Sequence, residues 1–155
     1  MVTTYNSNQY ALQTTVRRSG EGSVLHSMFF EGVTATADTG TINLIKLPPG
    51  HIRILPGLSQ FLCANMAGTA NISIGLSAYT ATNGAAVAAD VDALMATALA
   101  NTAVLANSYN LMANVANTGL LVDSLDGPTV TVTVTTANTV VNGTYSGHIA
   151  FVRVG

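Results

Sequence analysis

The segment Thr129-Val130-Thr131-Val132-Thr133-Val134-Thr135 constrains the fold more than any other stretch of this chain. β-Branched residues alternating with a period of two are the pattern of a pleated strand, whose successive side chains point to opposite faces. Asn142-Gly143 follows, a dipeptide that tolerates the positive φ of tight turns, and then a second β run from Tyr145 to Val154. Together these predict a C-terminal hairpin that closes the domain and holds the end of the chain in a sheet.

The same texture extends back to Val24. Short runs of apolar and β-branched residues, each ended by Gly, Pro or Asn, predict strands near 24–31, 40–47, 51–55, 58–65 and 69–76. In the last of these, Ala70, Ile72, Ile74 and Leu76 alternate with Asn71, Ser73 and Gly75, which predicts one buried and one polar face. Leu47-Pro48-Pro49-Gly50 lacks two consecutive amide donors and reads as a turn or edge. Between Tyr79 and Asn117 the chain becomes Ala-rich. There Asp90 can cap a short helix over 90–100, with Val91, Leu94, Met95, Ala98 and Leu99 on one apolar stripe. Further strands are expected through Tyr109-Asn110-Leu111-Met112 and from Gly119 to Asp123, with Asp126-Gly127-Pro128 as a turn. Residues 1–23 are rich in Thr, Asn, Gln and Ser and read as an N-terminal arm with at most one short strand. Many short strands, one helix and frequent turns make an all-β, antiparallel β-sandwich of residues 24–155 the expected architecture. At 155 residues, a single domain of ordinary size accommodates the chain.

Composition narrows the function classes. Only 8% of residues are charged while 48% are hydrophobic, and mean hydropathy is +0.42. A formal net charge of −2 offers no electrostatic footprint for nucleic acid or for an anionic membrane surface. The hydropathy comes from Ala and Val scattered among Thr, Asn, Ser and Gly, and no apolar run reaches the roughly 18 residues of a spanning helix. The first residues lack the basic and apolar regions of a secretory signal. Asn71-Ile72-Ser73 and Asn142-Gly143-Thr144 match the glycosylation acceptor pattern, at the frequency chance gives in so Asn- and Thr-rich a chain. A surface of Thr, Asn, Ser and Ala is one that packs against neighbours at little desolvation cost, which points to assembly.

No catalytic constellation is legible. His26, His51 and His148 have no paired ligand spacing for a metal, and no nucleophile elbow or glycine-rich phosphate cradle occurs. Cys63, the single cysteine, lies in the apolar run Gln60-Phe61-Leu62-Cys63-Ala64 and reads as a buried hydrophobe. The close acidic pairs are Asp90 with Asp92 and Asp123 with Asp126. Helix-end and turn chemistry explains both, and two carboxylates alone fall short of the six or more oxygens calcium takes. The reading is therefore not an enzyme, with no cofactor and no metal.

Three segments in order carry a resemblance: Ile45-Lys46-Leu47-Pro48-Pro49-Gly50-His51-Ile52-Arg53-Ile54-Leu55-Pro56-Gly57, then Asn71-Ile72-Ser73-Ile74-Gly75-Leu76, then Asp90-Val91-Asp92-Ala93-Leu94. With the Thr/Val-rich C-terminus, they resemble small β-sandwich structural proteins of tailed bacteriophages, over roughly residues 40–155. Met95 stands where that pattern has a second leucine, and the Asn/Thr-rich stretch 101–118 is longer. The resemblance implies a jelly-roll-like knob of the head decoration, or capsid cement, type. It also implies a homotrimer on the outer surface of the virion, binding where major capsid protein subunits meet. In that reading the arm clasps a neighbour, and Tyr5, Tyr10, Arg17, Arg18 and Arg53 are the candidate partner-binding residues. The alternative expectation is a tail-associated module that binds a cell-surface glycan, with Tyr79, Tyr109 and Tyr145 as stacking platforms.

Overall fold

The structure, a computed structural model, describes residues 3–6, 25–36, 39–64, 71–99, 107–110, 119–135 and 141–154. They form two facing sheets with a single apolar core between them. The first sheet takes its strands in the order β1 (Thr3–Asn6), β3 (Thr39–Lys46), β12 (Thr129–Thr135), β6 (Asn71–Leu76) and β9 (Asp90–Leu99). All its pairings are antiparallel except β1 with β3, where Tyr5 lies opposite Ile42 in a parallel ladder.

The second sheet is built around β13 (Val141–Arg153). One edge of β13 carries β2 (Leu25–Thr36) from Val152↔Leu25 to Val141↔Thr36. Its other edge carries β4 (Gly50–Ile54) and β5 (Gln60–Ala64) one after the other, as a single strand interrupted by the 3-10 turn Pro56–Leu58. Beyond them lie β11 (Leu120–Ser124) on β4 and β10 (Asn107–Asn110) on β5. A small hairpin of β7 (Tyr79–Thr80) and β8 (Ala86–Val87) stands apart. Neighbouring strands are mostly distant in sequence, and the chain passes from one sheet to the other at Leu47-Pro48-Pro49. This is a jelly-roll-like antiparallel sandwich.

The core draws on both sheets: Ile42, Leu44, Ile72, Ile74, Val130, Val132 and Val134 from the first meet Phe30, Ile52, Ile54, Phe61, Val122, Tyr145 and Ile149 from the second. Two glycines shape it. Gly147 sits between Phe30 and Phe61 in the ladder, and a Cβ there would run into the Gln60 carbonyl and the Phe30 ring. Its absence lets the two rings stack with centroids 6.2 Å apart. The next inward row repeats the device, with the Tyr145 ring lying over Gly32 and stacked on Phe61 at 6.4 Å. Rings folded over glycines restore cross-strand packing that glycine alone cannot supply.

Three expectations are corrected. The segment 90–100 is not a helix: Asp90–Leu99 is β9, paired along β6. Its stripe is shared by an irregular strand, because the span from Ile74 to Leu76 faces the longer span from Met95 to Asp90. The resulting bulge turns both Leu94 and Met95 inward, and β6 supplies backbone partners that outweigh the intrinsic helix preference of an Ala-rich run. The C-terminal hairpin is likewise absent, since β12 and β13 lie in different sheets. Asn142 and Gly143 are strand residues opposite Ala35 and Thr34. A permissive dipeptide allows a turn without demanding one, and the valines of β12 bury best facing the aromatics of β13 rather than beside them. Finally, β6 has no solvated face: Ser73 is only 8% exposed, and the backbone of Asp90 and Val91 lies on Gly75.

Candidate assembly surface

In an antiparallel ladder, residues directly opposite share a face, so the register of the second sheet reads out its outer surface row by row. One row is Leu25, Val152, Arg53 and Leu121. The next is Ser27 with the buried Ala150, then come Phe29, His148 and Gln60, then Glu31, Ser146 and Leu62, and last Val33 and Thr144. Several apolar side chains here are in water: Phe29 is 67% exposed, Val33 68%, Leu25 51% and Leu121 53%. The 3-10 turn adds Leu58, 55% exposed.

Phe29 leans on the His148 ring, with centroids 5.7 Å apart and planes tilted by 45°. The imidazole is held from the other side, its Nε2 lying 2.8 Å from the Leu58 carbonyl oxygen. A shallow groove of about 300 Å³ runs past Phe29, Glu31, Gln60, Leu62, Ser146 and His148. Through Gln60 and His148 it continues into a second depression of about 210 Å³ beside Gly57 and Leu58. The turn that carries Leu58 is pinned by Ser59, whose hydroxyl donates to the Leu55 carbonyl at 2.9 Å and accepts from the Ala150 amide at 2.9 Å. This face is therefore poor in charge, carrying Arg53 and Glu31, and exposes large apolar side chains along β2. Such a face is suited to burial against another macromolecule.

Of the residues singled out in the sequence, Arg53 falls within this face, half-buried between Val152 and Leu121. Tyr5 falls in β1, on the opposite sheet. Tyr10, Arg17 and Arg18 lie outside the described residues. Of the tyrosines considered as glycan platforms, Tyr145 is 2% exposed, inside the core, with its phenol pushed up to about 12 by burial. A sugar ring from solvent cannot reach it. Tyr79 is half-buried against the core, and burial together with the Asp123 carboxylate pushes its phenol up. Tyr109 pairs with Phe61 in the β5–β10 ladder.

The chemistry-bearing groups serve the fold. His26 stacks on Phe151 at 5.3 Å. The Cys63 thiol is buried and pushed up to about 11 by desolvation, the opposite of the activation a thiolate nucleophile needs. Asp123 accepts from the Thr82 hydroxyl at 2.7 Å, and its other oxygen lies 3.4 Å from His51 Nε2. Asp126 accepts from the Thr80 amide at 3.4 Å. These carboxylates tie the β7–β8 hairpin to the β11–β12 loop. Among the described residues, no three His, Cys, Asp or Glu side chains gather as a metal site.

The exposed apolar set on β2 was missed in reading the sequence, although a signal exists. Leu25-His26-Ser27-Met28-Phe29-Phe30-Glu31-Gly32-Val33 carries large apolar residues on both alternating faces, Leu25, Phe29 and Val33 on one and Met28 and Phe30 on the other, and only one face can look into a sandwich core.

No protein-family model matches this sequence, and no curated protein matches it. Solved structures do share its fold. It superposes on a chain in the capsid asymmetric unit of cyanophage Pam1 with a TM-score of 0.53 and 14% identity, covering 92% of this chain and 96% of the other. A chain in a structure of infectious bursal disease virus, Gx strain, matches with a TM-score of 0.56 and 8% identity over 86% of this chain. In that case the present chain spans only 32% of the other's length. These likenesses establish a fold shared with chains of virus particles.

Proposed function

We propose that this chain is a non-enzymatic structural protein of a virion. In this reading it is a capsid decoration, or cement, protein on the outer surface of a phage head, bound between major capsid protein subunits. The observation that carries the reading is the end-to-end match, in both directions, with a whole chain of a phage capsid asymmetric unit. A chain of this size stands in that particle as a unit of its own and not as a domain of a larger one. The charge-poor, partly apolar outer face of the second sheet supports it, since a chain with 8% charged residues keeps such a face only where a neighbour covers it.

The physical work of such a protein is linkage. A ligand that binds the assembled shell and not its dissociated subunits stabilises the shell, by about 2.7 kcal/mol at a hundredfold excess over Kd. Self-association, as a homotrimer in this reading, multiplies individually modest contacts. The test is sedimentation of the purified chain with phage shells assembled without it. Co-sedimentation at saturable stoichiometry and a raised shell melting temperature are expected. Absence of any affinity for such shells overturns the reading.

A further inference from the structure

Asn-Gly is the residue pair at which a side-chain amide is lost most readily, because glycine puts no side chain beside the attacking backbone nitrogen. The chain holds two such pairs. Asn142 and Gly143 lie in the ladder of β13 with β2, whereas Asn83 and Gly84 form the exposed tip of the β7–β8 hairpin. Gly84 has a φ of +83°, and a Cβ on it would meet no atom within 4 Å, so the space beside its nitrogen is open. In the closed hairpin both reacting groups are engaged. The Gly84 amide donates to the Ala81 carbonyl at 2.9 Å, and Asn83 Oδ1 accepts from the Ala85 amide at 2.9 Å. Reaction therefore proceeds from the opened tip. Its strands pair only at Tyr79↔Val87 and Thr80↔Ala86, so the tip opens locally while the sandwich stays folded. What holds it shut from outside is the Thr82 hydroxyl on Asp123 at 2.7 Å, with the Leu125 amide on the Thr80 carbonyl at 2.8 Å.

We propose that Asn83 is a site of spontaneous deamidation, and that the contact of Thr82 with Asp123 sets its rate by holding the hairpin closed. The Gly84 nitrogen attacks the side-chain carbonyl carbon of Asn83. A carbon–nitrogen bond forms, the bond to the side-chain amide nitrogen breaks, and ammonia leaves with the proton that Gly84 gave up. Water then opens the resulting succinimide at either carbonyl, leaving aspartate or isoaspartate at position 83, with no oxidation or reduction. Each event adds one negative charge to a chain of net charge −2. Isoaspartate also lengthens the backbone inside the turn that the Ala81 amide closes on the Ala85 carbonyl at 2.8 Å. The inference goes beyond the capsid reading and does not rest on it.

The experiment incubates the full chain at mildly alkaline pH, natively and in concentrated urea, and follows the gain of about one mass unit by fragmentation mass spectrometry. Conversion at Asn83, with isoaspartate among the products, is expected in both samples and more slowly in the native one. Asp123→Ala and Thr82→Val each remove the anchoring contact. Both are expected to raise the native rate about two- to fivefold, the range for an exposed polar contact, and to leave the rate in urea as in wild type. Asn83→Gln, which cannot close the five-membered ring as readily, is expected to abolish the mass gain in this segment. A native chain that stays unconverted at Asn83 while the urea sample converts overturns the site. Native rates unchanged by both anchor variants overturn the control by Thr82 and Asp123, as does an equal acceleration in urea, where no hairpin exists to be released.

Discussion

Individual residues decide how closely the second sheet can pack, and Gly147 shows it best. The Phe30 and Phe61 rings meet above it, and the Gln60 carbonyl passes where a side chain would begin. Gly147→Ala therefore has to move either a ladder strand or a ring, an overpacking cost of about 1–3 kcal/mol. Urea denaturation of the variant measures it, and an unchanged midpoint would mean that the ring stack has room to yield. Tyr145 was legible as an aromatic in a strand but not as a core residue, because the sequence shows an aromatic without showing the glycine opposite it. Arg53 was legible as an outward position of a β run. Its neighbours Val152 and Leu121, which set it in an apolar row, come from strands far along the chain.

At the level of elements, most strands could be read directly, because Gly, Pro and Asn punctuate short β-branched runs. Two of the three errors share a cause. Asp90–Leu99 and the run after Asn142 were assigned from local preference, and in both the partner strand overrides that preference. The β7–β8 hairpin is the opposite case, a short element held by side chains. Thr82 on Asp123, Thr80 on Asp126 and the Leu125 amide on the Thr80 carbonyl attach it to the loop after β11. Asp123→Ala should release the hairpin while the sandwich stays folded. The expected result is faster amide exchange at Ala81 and Gly84, with global stability lowered by at most about 1 kcal/mol, as for an exposed hydrogen bond and ion pair. Exchange unchanged at those amides would show that the backbone contacts alone hold the hairpin.

For the whole molecule, a net charge of −2 and a charge-poor, partly apolar outer face predict that the proposed assembly rests on buried surface and not on charge attraction. Shell binding and self-association should therefore be nearly insensitive to salt between about 0.1 and about 1 M, where the screening length falls from about 10 to about 3 Å. Affinity measured across that range checks it. A steep loss would assign the contact to Arg17, Arg18 and Arg53 instead.

By itself, the sequence determined the all-β class, most strand positions and the low charge of the surface. All of these follow from composition and from a side-chain period that each strand carries within itself. The tertiary structure alone decided which sheet each strand joins, that β12 and β13 face each other across the core, and that Leu25, Phe29 and Val33 form one outward stripe. Those outcomes depend on pairings between residues tens of positions apart. Such pairings are chosen by the shape of the common core and leave no mark on the local pattern.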